Sequence, residues 1–342
     1  MPAIPRLRVD LTAPPARRWL GLRPFREAAR RLILAYADLP RSPETEAALD
    51  EIERCYVDPE HVAELDAVAH LVKCDRALVR HANYHYDGMK LLNGPPAFAC
   101  TAIATQTPTG PIHARNLDWF TEGGILATST IIVDFHGAPA GAFTLVTWPG
   151  FVGALSAVAP GRFAVTLNFV TSGEPFQPGA PLVFVLREIL ERASTFDAAR
   201  DALLEKPLLS DALILLTGIR PDERLVIERT PSRAVTRIPD GAAPLVVTND
   251  YRALNQRGSR GQLGQTSCAR YDRALELAPD ISTLDGAIEA LEDEQIRMGI
   301  TAQHMAMQAS TGTLHVELPE RFRNTSPPPR EGFWKRLFQR RR

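Results

Sequence analysis

The 342-residue chain is poor in cysteine, with four in all: Cys55, Cys74, Cys100 and Cys268. That density is too low for a disulfide scaffold, and no C-x-x-C pair suggests zinc, so reduced thiols are expected. No apolar run approaches the roughly 18–20 residues that cross a bilayer. Residues 1–19, "MPAIPRLRVDLTAPPARRW", place prolines where a secretory leader would be apolar. A cytoplasmic protein is the expectation. Charge of one sign is lacking too: 39 Lys and Arg against 40 Asp and Glu leave a net charge of −1. No global field therefore favours nucleic acid as a partner. The eight histidines contain no H-E-x-x-H motif. His81 and His85 are spaced to share a helix face, but no third ligand stands near them, and a surface or capping role is the plainer reading. No metal and no organic cofactor is expected.

What is present is ordinary globular material, 45% hydrophobic and 23% charged, in a chain long enough for one large domain or a domain with an appendage. Residues 1–24, rich in Pro and Arg, read as an extended arm. Residues 25–87 carry helical periodicity, with Pro43 and Pro59 near helix starts, where a missing N–H costs little. "LNGPPAFA" (92–99) breaks that run. Beyond Cys100 the texture turns to strands. "STIIVDFHGAPAGAFTLVTW" and "GALSAVAPGRFAVTLNFV" each read as two strands about a Gly/Pro turn. A helix pair over 181–206 follows, with Ser194 and Asp197 placed as a capping box. Three strand-like runs, a helix over 281–298 and a closing hairpin from Thr301 complete the order. Strands, helices, strands and a helix imply an α+β chain in αββα layers. The domain reading is an N-terminal arm and helical segment (1–99), a catalytic sandwich (100–320), and a Pro hinge with a basic-aromatic tail (321–342).

The segment that carries chemistry is "FACTAIATQTPTGPIHARNLDWF" (98–120). A turn centred between Pro108 and Thr109 puts Cys100 opposite Leu117 on the returning strand, with Arg115 and Asp118 close by. A guanidinium beside a thiol favours the thiolate. A carboxylate does the opposite for a thiol, yet it suits an ammonium. The mixture makes sense if Cys100 carries a free α-amine that takes the thiol proton as a local base. The plain alternative is a small buried residue opening a core strand.

The same residues bear a resemblance. "CTAIATQTPTGPIHARNLDW" resembles the nucleophile segment of the acid ceramidase and N-acylethanolamine-hydrolysing acid amidase family, where a C-T-S-I-type strand precedes G-R-N-[ML]-D. "VDLTAPPARRW" (9–19), "WPGFVGALSAVAPGRFAVTLN" (148–168), "VVTNDY" (246–251) and "RYDRA" (270–274) resemble further segments in the same order. The resemblance implies an αββα sandwich of the N-terminal-nucleophile hydrolase type. It also implies self-cleavage between Ala99 and Cys100, with Cys100 as nucleophile and Arg115 and Asp118 beside it. Asn249 would help hold the oxyanion, and Arg270, or Arg273 in its place, would be the second arginine. Trp119, Asn168 and Phe169 would line the substrate. In the family a glutamate follows T-L-N, where this chain has Phe169, a departure that makes the pocket more apolar.

These readings add up to an amidase that hydrolyses a linear fatty-acyl amide through an acyl-thioester. The alternatives are a related acyltransferase and an uncleaved, catalytically silent lipid-binding protein. A small acyl-amide is the expected partner. The tail "EGFWKRLFQRRR" (331–342) has the composition of a peripheral membrane anchor, against the alternative of a solvated basic end.

Overall fold

The computed structural model of the chain describes residues 4–35, 42–91, 98–256 and 264–323. The tail 331–342 lies outside these residues. The N-terminal arm is a strand at its start. In β1 (Arg6–Asp10), Leu7 and Val9 are buried while Arg6, Arg8 and Asp10 are exposed. That two-residue alternation gives the segment one apolar face, so it pairs in parallel with β4 (Ile131–His136) instead of remaining an unpaired arm. The short α1 (Pro15–Arg18) and five further helices follow: α2 (Arg26–Ala35), α3 (Pro43–Tyr56), α4 (Pro59–Val72), α5 (Arg76–Asn83) and α6 (His85–Leu91). Pro43 and Pro59 occupy first-turn positions behind the caps Ser42 and Asp58.

The hairpin is β2 (Phe98–Thr105) and β3 (Ile112–Trp119), followed by the single turn α7 (Ile125–Thr128) and then β4. Next come β5 (Phe143–Thr147), β6 (Ser156–Ala159) and β7 (Phe163–Asn168), then α8 (Leu182–Arg192) and α9 (Phe196–Glu205). The strands β8 (Ala212–Thr217), β9 (Arg224–Arg229), β10 (Ala234–Arg237) and β11 (Leu245–Val247) lead to α10 (Ser267–Leu277) and α11 (Leu284–Glu292). The hairpin of β12 (Thr301–Gln308) and β13 (Thr313–Glu317) closes the order.

Two sheets result. One has eight strands in the order β1-β4-β5-β6-β7-β8-β9-β10, the other five in the order β11-β2-β3-β12-β13. They stack face to face, with His113 of β3 hydrogen-bonded to Thr166 of β7 at 2.8 Å and Thr217 of β8 at 3.1 Å. Helices α10 and α11 cover the outer face of the smaller sheet, where Arg270 reaches Thr101 and Asn116 reaches the Leu291 carbonyl. The outer face of the larger sheet is covered by α8, whose Arg187 lies over the Phe135 and Phe143 rings, and by Trp19 against Phe135. This is the expected α+β sandwich in αββα layers.

Three local readings need correction. Helix α9 is capped by Thr195, whose hydroxyl accepts from the Ala198 N–H, and not by Ser194. The helix expected over 281–298 runs only from Leu284 to Glu292. Thr283 caps its start at the Gly286 N–H, and Glu292, Asp293 and Glu294 gather negative charge at the end where a helix disfavours it. His81 and His85 are buried rather than superficial, at 5% and 2% exposure. His81 Nε2 lies 2.6 Å from Glu46 Oε1, while His85 packs on the Phe98 and Trp119 rings. Burial pushes the His85 imidazole down to about 3.

Candidate active site

Strand pairing sets the site. Cys100 lies opposite Leu117, Ala99 opposite Asp118, and Ala102 opposite Arg115. The turn that fixes this register closes through the Gly110 N–H on the Thr107 carbonyl at 3.1 Å, with Gly110 at a φ of 109° that favours glycine. Side chains alternate along a strand. Phe98, Cys100, Leu117 and Trp119 therefore share the face toward the larger sheet and belong to one apolar cluster. Thr101, Asn116 and Asp118 share the other.

Cys100 is 2% exposed, and three side chains converge on its atoms. Arg115 Nη2 donates to Cys100 Sγ at 3.1 Å and to the Leu167 carbonyl at 2.5 Å. Arg115 Nη1 bonds Ser156 Oγ, so both ends of the guanidinium are fixed by the facing sheet. Asn249 Oδ1 accepts the Cys100 backbone N–H at 3.1 Å. Arg270 Nη1 donates to the Cys100 carbonyl at 2.6 Å and to Thr101 Oγ1 at 2.8 Å, while its Nη2 reaches Asn249 Oδ1 at 2.8 Å. Helix α10 positions this arginine, with Thr266 accepting from its Nε and Ser267 accepting from the Asn249 N–H. Burial pushes the Arg270 guanidinium below its usual value, and Asp118 opposes that shift.

Asp118 is fully buried. Its Oδ1 accepts from Thr301 Oγ1 at 2.5 Å, and its Oδ2 has no hydrogen-bond partner. Burial pushes its carboxyl above the usual carboxylate range, with Arg270, the Thr301 hydroxyl and Arg115 pulling it back. A buried carboxylate oxygen left open opposite Ala99 leaves room for a donor on that side.

The structure thus brings together Cys100, Arg115, Asp118, Asn249 and Arg270 around the Ala99–Cys100 bond. Arg273 does not join them, since it pairs with Asp293 at 2.7 Å and with Glu276 at 2.9 Å. Trp119 and Phe169 belong to an aromatic wall. The Phe98 ring stands 4.5 Å from Trp119 and 5.1 Å from Phe169, with Tyr86 5.8 Å from Phe169. Asn168 lies a layer deeper, its Nδ2 tying β7 to the Val247 and Thr248 carbonyls at 3.0 Å each. Sequence reasoning missed Thr301, Ser156 and Ser267. Their only signal is a hydroxyl on a strand or helix start, and nothing local links them to the hairpin. Among the described residues no group of three His, Cys, Asp or Glu side chains is arranged to hold a metal ion.

Known proteins can be set beside this geometry. The family model for acyl-coenzyme A:6-aminopenicillanic acid acyl-transferase matches residues 105–327. An N-acylethanolamine-hydrolyzing acid amidase of Cavia porcellus is 28% identical over 241 residues, covering 67% of this chain and 66% of that protein. The Caenorhabditis elegans protein of that name is 32% identical over 171 residues, covering 44% and 48%. An acid ceramidase of Balaenoptera acutorostrata scammoni is 28% identical over 154 residues, covering 38% and 39%. The chain spans about two thirds of the first of these relatives and half or less of the others. The solved structure of the Caenorhabditis elegans N-acylethanolamine-hydrolyzing acid amidase ortholog superposes with a TM-score of 0.52 at 25% identity, over 61% of this chain and 93% of that one. With a match over most of its length and the fold to go with it, the chain belongs to the acyl-coenzyme A:6-aminopenicillanic acid acyl-transferase family and is a relative of acid amidases and acid ceramidases.

Proposed function

We propose that the chain cuts itself between Ala99 and Cys100, and that the freed Cys100 hydrolyses a linear fatty-acyl amide. The observation that carries this reading is the convergence on Cys100: a guanidinium on its sulfur, an amide oxygen on its N–H and a second guanidinium on its carbonyl. The names of the relatives, acid amidase and acid ceramidase, supply the amide.

In the first step the Cys100 sulfur attacks the Ala99 carbonyl, the C–N bond breaks and a C–S bond forms. Water then hydrolyses that thioester, which returns the thiol and leaves Cys100 with a free α-amine. The products are 1–99 and 100–342. Asp118, opposite Ala99 with an open oxygen, holds the new ammonium. In turnover the amine takes the thiol proton, sulfur attacks the substrate carbonyl, and the amine passes the proton to the leaving nitrogen. Water then attacks the acyl-thioester. Arg115 stabilises negative charge on sulfur, and the Asn249 amide, now bonded through Nδ2 to the Phe169 carbonyl at 2.7 Å, has a second N–H for the oxyanion. The aromatic wall of Phe98, Tyr86, Trp119 and Phe169 suits an apolar acyl group.

A second reading is favoured by the name of the matching family model, an acyl-transferase: the acyl-thioester passes to an amine instead of water. Cleaved protein incubated with a fatty-acyl ethanolamide tests both. Release of free fatty acid is expected, with a loss of about a thousandfold or more in Cys100→Ala. An added amine that captures the acyl group in place of water would favour transfer. Turnover by a folded Cys100→Ala protein would overturn the mechanism.

A further inference from the structure

Where β3 ends, the chain borders a cavity of about 230 Å³. Its walls include Trp119, Phe120, Ala127, Ile300 and Phe322, with Arg321 as their one charged member. Gly123 and Gly124 make the turn that opens it, at φ of 61° and 65°, and a Cβ on Gly124 would fall 2.2 Å from the Phe322 ring. Two lining residues flank Asp118. Trp119 follows it in β3, and Thr301 donates its hydroxyl to Asp118 Oδ1 at 2.5 Å.

Arg321 is anchored rather than loose. Its Nη2 donates to the Thr301 carbonyl at 2.7 Å, and its guanidinium lies 4.6 Å over the Phe322 ring. Among the described residues neither Arg321 nor the nearby Arg297 has a carboxylate within ion-pair distance. Burial and the charge of Arg297 push the Arg321 guanidinium below its usual value, against the pull of Asp118. Positive charge thus stands beside a small, mostly apolar cavity that adjoins the catalytic carboxylate.

From this placement we infer that the cavity receives the amine half of the substrate, and that this half carries an anionic group, a carboxylate or sulfonate, bound by Arg321. The inference rests on the amidase reading above. The leaving nitrogen takes its proton from the Cys100 α-amine, which Asp118 holds, so the amine half departs on the Asp118 side. The volume exceeds the ~150 Å³ that accommodates benzene but is far short of a long-chain base. A planar guanidinium matches a carboxylate bidentately and stays charged at any working pH.

The test uses cleaved protein and amides of one fatty acid with three amines: glycine, ethanolamine and ethylenediamine. Wild type is expected to prefer the glycine conjugate, with the cationic diamine amide worst by about tenfold or more in kcat/KM. Arg321→Gln keeps a donor for the Thr301 carbonyl while removing the charge. The glycine-to-ethanolamine ratio should fall about tenfold in that variant, mainly through KM, and Arg321→Lys should keep most of it. Intact mass and thermal unfolding report whether each variant is folded and cleaved. An unchanged ratio in Arg321→Gln, or a wild-type preference for the neutral or cationic amide, overturns the anionic assignment alone. Failure of cleaved wild type to hydrolyse any of the three overturns the amidase reading, and this inference with it.

Discussion

Arg270 spans Cys100 and its neighbour with one guanidinium, holding the Cys100 carbonyl and Thr101 with Nη1 and Asn249 with Nη2. Asn249 is therefore oriented from three sides: its oxygen receives the Cys100 N–H and Arg270, and its Nδ2 is fixed by the Phe169 carbonyl. Asn249→Ala removes all of these at once and should slow both self-cutting and turnover by about 10²–10³, the loss typical of one oxyanion donor. A mass-spectrometric time course of cutting beside a fatty-acid release assay checks this, and a wild-type rate in either would contradict it. Much of this residue set was legible because it is local: one turn centre placed Cys100, Arg115 and Asp118 within a few residues of each other. Arg270 could not be told from Arg273 in sequence, since both lie in one helix and only the helix's rotation decides which meets β2. Thr301 was out of reach, joined to Asp118 by a bond across 183 positions.

At the scale of elements, α6 meets α8 through one carboxylate. Asp87 accepts the Leu182 N–H at 3.1 Å, capping a helix to which it is not joined in sequence, and also accepts from Ser210 Oγ. It is wholly buried, and burial pushes its carboxyl from the usual 3.8 up to about 7. Lys90 stands one turn further along α6, paired with Asp211 at 2.6 Å. An acid that ionises later in the folded chain than in the unfolded one withdraws stability as pH rises. Here the withdrawal runs between about 4 and about 7 and is complete above that. Asp87→Asn should flatten the fall in thermal stability over this window, so the variant gains on wild type as pH rises from 5 to 8. Parallel melting curves across those pH values would contradict the assignment. Such a cap is invisible in sequence, where Pro181 precedes Leu182 and no polar side chain stands at the cap. β1 is legible in its sequence, since R-L-R-V-D alternates cleanly, although the surrounding prolines give the segment the composition of an extended arm.

For the molecule as a whole, the proposed cut between Ala99 and Cys100 would leave two pieces with a shared interior. β1 belongs to the large sheet through β4. Glu64, wholly buried in α4, accepts from Arg18 at 2.9 Å, from Trp19 Nε1 at 2.7 Å and from Arg187 of α8 at 3.4 Å. Separating the pieces would expose one continuous apolar cluster and break the buried Arg187–Glu64 pair that crosses the cut. The two fragments should therefore co-elute in size exclusion under native conditions and separate only in denaturant. Elution of the N-terminal piece alone from native buffer would contradict this. The layered class was readable from element order, because alternating strand and helix patterns admit few ways to bury their apolar faces. The order of strands within each sheet was not, since it depends on pairings between distant segments.

The most direct measurement is the intact mass of purified wild type and Cys100→Ala after incubation across pH 4.5–8. Wild type is expected to yield fragments that end at Ala99 and begin at Cys100, and the Cys100→Ala chain to stay whole. A wild-type chain that remains whole at every pH, or a Cys100→Ala chain cut at the same bond, would contradict that expectation.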